Sequence, residues 1–217
     1  MHMVETNVLQ LFNDLYTGAV HDCLDKLGIW GCIEGLQLFG HLPASGKICG
    51  PATTVQFIPS VKKVVSSNYH RAIDQVGKGG ILLIDVAGAK GSSTGELMCA
   101  GTKAHGAIAT IVNGTIRDIS EIEDLGDYPV YARGLLPVSA VGRMEDVAYN
   151  VDIKINGIRI RPGDIIFGDR DGVVVVPQQA VPLVAKLANE LDKKERGLKK
   201  EILKEKSMYE IFKNALA

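Results

Sequence analysis

The chain has 217 residues, 46% apolar and 23% charged, which is enough to bury one sizeable core. Its 24 basic and 25 acidic residues leave a formal net charge of −1, so nothing electrostatic calls for a nucleic acid or an anionic membrane as partner. No run approaches a membrane span, and Met1-His2-Met3-Val4-Glu5 lacks the basic region and apolar core of a signal peptide, so a cytoplasmic protein is expected.

From Glu5 to Leu27, the residues Val8, Leu11, Phe12 and Leu15, then Ala19, Val20, Cys23, Leu24 and Leu27, recur at helical spacing. Two amphipathic helices are expected there, with Gly18 as the break. The runs Thr53–Ile58, Ile81–Ile84, Ala107–Val112, Val130–Ala132 and Val173–Val176 are short, rich in β-branched residues and bounded by Gly, Pro or Asp, which reads as buried strand. Asn68–Val76 and Gly95–Lys103 have helical character. Strand, helix, strand at this spacing implies crossovers and a sheet covered by helices.

After Pro137 the pattern changes. Val151–Ile155 alternates strictly, Asn156-Gly157 signals a hairpin turn, and Ile158–Arg161 alternates again. Pro162-Gly163-Asp164 turns into Ile165-Ile166-Phe167. A helix follows from about Gln179 to beyond Lys200. There Lys193, Lys194, Arg196, Lys199, Lys200, Lys204 and Lys206 interleave with Glu190, Asp192, Glu195, Glu201 and Glu205, as on a solvated helix face. The expectation is one α/β domain over 1–217, with N-terminal helices at about 5–27, an α/β core at about 45–177 and a C-terminal helix at about 179–206. Cys23, Cys32, Cys49 and Cys99 form no Cys-x-x-Cys pair and no zinc-spaced cluster with histidine, so they read as small reduced hydrophobes.

Two loops carry chemical content. Ala89–Met98 follows a strand and opens a helix, and its small residues would let backbone N–H groups face a carboxylate or phosphate at the helix N-terminus. A plain N-cap by Ser93 or Thr94 is the other reading. The second loop begins at Asn113-Gly114, beyond the carboxyl end of a strand, where open α/β sheets bind ligands. Arg117 there offers a planar fork for a carboxylate, and Asp118 an oxygen for a hard cation such as Mg²⁺ or Mn²⁺. A surface salt bridge is the plain alternative for adjacent residues of this kind.

Gly95-Glu96-Leu97-Met98, followed by Asn113-Gly114-Thr115-Ile116-Arg117-Asp118-x-x-Glu121 and Pro129-Val130-Tyr131-Ala132-Arg133-Gly134, resembles the RraA-like family of class II pyruvate aldolases. So do Val20-His21-Asp22-Cys23-Leu24-Asp25-Lys26-Leu27-Gly28, Gly50-Pro51-Ala52-Thr53-Thr54-Val55, Arg161-Pro162-Gly163-Asp164 and Asp169–Pro177, so that the likeness runs from about Leu11 to the C-terminal helix. It implies a swivelling β/β/α domain assembled as a homotrimer or hexamer, with active sites between subunits and an acid from the neighbour's C-terminal helix, for which Glu190 and Glu195 are candidates. It also implies that the backbone of Gly95, Glu96, Leu97 and Met98 binds the pyruvyl group of a 2-oxo acid. Arg117 then grips the substrate carboxylate, and Asp118 holds the divalent metal, Mg or Mn, with waters completing the shell.

Cleaving the C3–C4 bond of a 4-hydroxy-2-oxo acid leaves a pyruvate enolate whose charge a bound cation stabilises, and oxaloacetate decarboxylation passes through the same enolate. A Schiff-base lysine, Lys90 or Lys103, would be the other route, but neither lies in an apolar run that would lower its pKa. Glu121, four residues after Arg117, would pair with it and fix its orientation if Asp118–Asp124 turns helically. His70 stands on a predicted helix, near substrate by the resemblance or merely on a helix face; His21, His41 and His105 read as structural. The family also includes a regulator that binds ribonuclease E, which gives a protein-binding alternative.

Overall fold

Ile81–Asp85, every residue of which is buried, shows what the unbroken apolar runs become: strands inside a sheet covered on both faces. The computed structural model describes residues 10–63, 66–204 and 207–216. The expected helical start over 5–9, His2, Glu205 and Lys206 lie outside them. In chain order a 3-10 turn at Gln10–Phe12 precedes α1 (Thr17–Lys26), β1 (Gln37–Phe39), β2 (Ile48–Pro59), α2 (Ser67–Gln75), β3 (Ile81–Asp85), β4 (Ser92–Thr94) and α3 (Glu96–Ala104). Then come β5 (Ala109–Ile116), α4 (Ile119–Glu123), β6 (Val130–Leu135), β7 (Met144–Tyr149), β8 (Ile153–Ile155), β9 (Ile158–Ile160), β10 (Ile165–Gly168) and β11 (Val173–Val176). After a second 3-10 turn at Gln178–Ala180, α5 (Val181–Ile202) and α6 (Met208–Leu216) follow.

The sheet runs β1-β6-β5-β3-β2-β10-β11, with β4 added to β5 and β7 to β2. Pairs β2–β3, β3–β5 and β5–β6 are parallel, and the β10–β2 and β2–β7 pairs antiparallel. The long strand β2 pairs with β10 through its first residues and with β7 through its last, which curls the sheet. This is the expected mixed α/β fold with a long C-terminal helix. One face packs Phe57, Tyr69, Ile84, Val112 and Ile122 beneath the crossover helices. On the other, Leu83, Ile111 and Tyr131 pack with Ile153–Ile160 of the β8–β9 hairpin. A third cluster joins α1 and α5 to β10 and β11. The hairpin turn is the expected one: Asn156 and Gly157 both have positive φ, 49° and 84°.

Two expectations are corrected. Gly18 breaks nothing; it lies in the first turn of α1, and the interruption falls at 13–16. Strands β1, β4 and β7 and helix α6 have no counterpart in the sequence reading, because each is short or lacks a sustained apolar period.

Three aspartates hold elements together. The Asp169 carboxylate accepts from Thr17 N–H and Thr17 Oγ1, both at 2.8 Å, and so supplies from a distant loop the acceptor that α1 lacks at its own N-cap, Tyr16. Asp146 Oδ2 accepts from Tyr69 N–H at 2.8 Å in the first turn of α2. Asp164 accepts from Arg161 N–H at 2.8 Å and Gln178 N–H at 3.0 Å, closing the turn into β10. The Asp169→Ala variant should lose about 1–2 kcal/mol of stability, read as a lower urea midpoint at constant slope; an unchanged midpoint would remove Asp169 from this role.

Candidate functional site

Strand β5 runs out at Ile116, and the next two residues turn sharply. Arg117 N–H still donates to Thr94 O of β4 at 3.2 Å. Asp118 then adopts φ 61°, ψ 45°, a left-handed conformation that short polar side chains tolerate best after glycine. Its carbonyl accepts from Ile122 N–H at 3.0 Å and starts α4. The turn brings Arg117 and Asp118 against Gly95, the residue that opens α3. Gly95 is extended, with φ −143°, so what it offers is space rather than conformation: a Cβ there would lie 2.3 Å from Asp118 Oδ2 and 3.3 Å from Arg117 Cγ, and the Asp118 carboxylate would have to swing aside.

The resulting corner holds one carboxylate against two positive features. Asp118 Oδ2 lies 3.4 Å from Arg117 Nε and accepts at 3.4 Å from the N–H of Glu96. Both side chains are 42% exposed, so this ion pair adds little stability and leaves both groups open to a ligand. Gly95 offers no side-chain cap, and the first intrahelical bond of α3 is Cys99 N–H to Gly95 O at 3.1 Å. The N–H groups of Leu97 and Met98 therefore lack intrahelical acceptors, and the helix end carries partial positive charge.

Neither Ser93 nor Thr94 is the N-cap. Both belong to β4, and Thr94 Oγ1 lies 2.9 Å from Tyr69 OH. The expected pairing of Glu121 with Arg117 is also absent among the described residues: the left-handed turn at Asp118 breaks helical phase between them, and the arginine's acidic partner is Asp118. Glu121 is exposed in the first turn of α4, where an acid suits the helix dipole. Lys103 Nζ donates to Leu125 O and ties α3 to the end of α4, whereas Lys90 is exposed. His70 is exposed and stacks on Tyr69, with ring centroids 6.5 Å apart. His105 Nδ1 bonds Gly101 O at 2.9 Å, and its Nε2 lies 3.4 Å from Asp74.

A polar row that the sequence reading missed crosses the carboxyl ends of the parallel strands. Gln56, Asp85 and Asn113 are in register on β2, β3 and β5. The buried Asp85 accepts from Gln56 Nε2 at 3.0 Å, Asn113 Nδ2 at 2.8 Å and Ala87 N–H at 3.1 Å. Asn113 Oδ1 in turn accepts from Arg133 Nε of β6 at 2.9 Å. The signal was present as one polar residue at or near the end of each apolar run.

A family model described as RraA-like, Aldolase/RraA, matches residues 17–175. Protein DlpA of Legionella pneumophila is 34% identical over 175 residues, 79% of this chain and 28% of that protein, so the chain spans little more than a quarter of that relative. A protein of Halalkalibacterium halodurans named "Putative 4-hydroxy-4-methyl-2-oxoglutarate aldolase" is 30% identical over 182 residues, 82% of this chain and 80% of its own. The crystal structure of Streptomyces coelicolor RraAS2, described as an unusual member of the RNase ES inhibitor RraA protein family, matches with a TM-score of 0.79 at 24% identity. It covers 90% of this chain and 97% of that one and shows the shared fold.

Behind the corner, Cys99 on α3 is fully buried. Burial pushes its thiol up to about 12, and the nearby Glu96 and Asp118 carboxylates push the same way; burial alone does the same to Cys49. A thiol raised this far stays protonated and inert through the neutral range. Alkylation of the part-exposed Cys49 by iodoacetamide should therefore climb about tenfold per pH unit up to pH 10. A rate that levels off by pH 9 would contradict it.

Proposed function

The chain belongs to the RraA-like family, Aldolase/RraA, and from that premise we propose that it is a lyase: a divalent-metal-dependent class II aldolase that cleaves a 4-hydroxy-2-oxo di- or tricarboxylic acid to pyruvate and a second oxo acid, with oxaloacetate decarboxylation as a side activity. The observation that carries this reading is the contact at Gly95, where a missing Cβ lets one carboxylate, one guanidinium and one helix N-terminus share a half-exposed corner.

In this reading the Arg117 fork receives the substrate carboxylate in paired hydrogen bonds. The N–H groups at the start of α3, from Glu96 to Met98, face the oxygen on which enolate charge develops, and the helix dipole favours that charge. Being fixed in the fold, they need no reorganisation as the C4 hydroxyl gives its proton to a solvent water, its O–H pair forms the new C4 carbonyl, and the C3–C4 pair passes to the C2 carbonyl as the enolate. Lys103 is committed to the Leu125 carbonyl, which weighs against a Schiff base.

The donor set fits a hard cation. Among the described residues no group of three or more His, Cys, Asp or Glu side chains gathers, so a tightly caged soft metal is not what this corner is made for. Asp118 offers a half-exposed carboxylate whose Oδ2 makes only long contacts, and it would hold Mg or Mn, with waters and the substrate completing the shell. When bound, such an ion supplies Lewis-acid stabilisation of the enolate.

A homotrimer or hexamer with this corner at a subunit contact belongs to the same reading. It is supported by Leu97, 75% exposed beside Glu96, and by Leu135, 49% exposed on the strand next to Ile116.

Pyruvate release from 4-hydroxy-4-methyl-2-oxoglutarate and from oxaloacetate should vanish in EDTA and return with Mg²⁺ or Mn²⁺; full turnover in excess chelator sinks the mechanism. Arg117→Ala and Asp118→Asn should each lower kcat/KM by roughly a hundredfold or more, the scale of losing one charge-stabilising group. Glu121→Gln should stay within about twofold, since it touches neither. A ribonuclease-binding role would instead survive Asp118→Asn and leave pyruvate release at background throughout.

A further inference from the structure

The polar row at the strand ends opens onto a cleft of about 400 Å³ that includes Lys90, Asn113, Thr115, Arg133 and Leu136 in its walls. No Asp or Glu lines it. The guanidinium of Arg133 is gripped from three sides: Nε donates to Asn113 Oδ1 at 2.9 Å, Nη1 to Glu34 O and Nη2 to Asn156 Oδ1 at the tip of the β8–β9 hairpin. Gly35, with φ 71°, makes room for it, since a Cβ there would stand 2.6 Å from Nη1. All three acceptors are neutral, and one N–H on each terminal nitrogen stays uncommitted. Among the described residues Arg133 has no carboxylate within ion-pair distance; the nearest acid in its network, Asp85, is reached only through the Asn113 amide. Lys90, exposed in the same lining, likewise pairs with no acid among the described residues.

The loop Gly88–Lys90 is also one wall of a second cleft, of about 630 Å³, lined by Lys62 and Arg143 and again by no acid. Lys62 is paired with Glu145 at 3.2 Å, while among the described residues Arg143 donates to the carbonyls of Ser139 and Val141 and to no acid. A fixed, incompletely satisfied cation in a concave wall, with a flexible-stemmed, exposed cation in the same lining, is the arrangement that recognises a planar or tetrahedral oxyanion.

We propose that the cleft between Arg133 and Lys90 binds the oxyanion of a small metabolite, a carboxylate or a phosphate, with Arg133 as its rigid anchor and Lys90 as its flexible second cation. The site does not depend on the lyase reading. Its apolar walls, Val86, Ala89 and Leu136, suit a short carbon body behind the charged group.

Calorimetric titration in the Arg117→Gln variant, so that Arg117 contributes no anion site, tests it with sodium phosphate and sodium succinate against sodium chloride of equal ionic strength. Saturable binding of phosphate or succinate, but not chloride, is expected. Lys90→Glu should weaken it by roughly tenfold at unchanged melting temperature, and Arg133→Lys, which keeps the charge and loses the fork, should weaken it too. Tighter binding of phosphate makes the ligand a phosphorylated compound, and tighter binding of succinate a carboxylated one; either sustains the site. If Arg133→Lys fails to fold, Lys90→Glu decides alone. No saturable binding of either anion, or affinity unchanged by Lys90→Glu, overturns the proposal.

Discussion

The missing Cβ of Gly95 is the constraint around which the corner is organised. An alanine there would set a carbon 2.3 Å from Asp118 Oδ2, inside any permitted contact. Because that carbon is absent, a carboxylate can rest against the first N–H of a helix while an arginine flanks it. The parallel pairing of β4 with β5 sets the two segments side by side, and the left-handed residue after Arg117 turns the chain so that the acid faces back toward the helix. Remove the close approach and these groups become ordinary surface charges.

Much of this was legible in the chain. The buried strands announced themselves as unbroken β-branched runs, and the hairpin as Asn156-Gly157 between alternating segments, because both patterns follow from how a pleated backbone buries alternate or all side chains. Arg117 and Asp118 stood out through their place just beyond a strand. What escaped was whatever depends on contacts between distant residues. Spacing alone suggested that Glu121 would meet Arg117, but spacing assumes a continuous helix, and one residue of positive φ at 118 ends that assumption. Ser93 and Thr94 have the composition of caps, yet the tertiary demand for a strand beside β5 overrides it.

The motifs that carry the family resemblance are of two kinds. Asp164 and Asp169 spend their oxygens inside the fold, on the N–H groups of Arg161 and Gln178 and on the N–H and hydroxyl of Thr17, so those stretches hold the sheet to α1 and to the turn before α5. Arg117 and Asp118 keep their polar atoms largely free. A charge whose hydrogen-bonding capacity is used up inside the fold is architecture; one left partly unsatisfied at the rim is available for chemistry. Arg133 stands between the two, anchored by three protein oxygens and still open on one side.

The backbone at Asp118 has a consequence for how this position can drift over generations. Two independent demands meet there: a carboxylate at a set reach, and a residue content with positive φ. Asparagine meets the second without the first, glutamate keeps a carboxylate but at a longer reach and without the second, and glycine relaxes the chain while deleting the acid. Neighbouring codons therefore offer no replacement that keeps both, and a lineage that takes asparagine here would keep its shape while surrendering its charge, leaving an intact scaffold open to other uses.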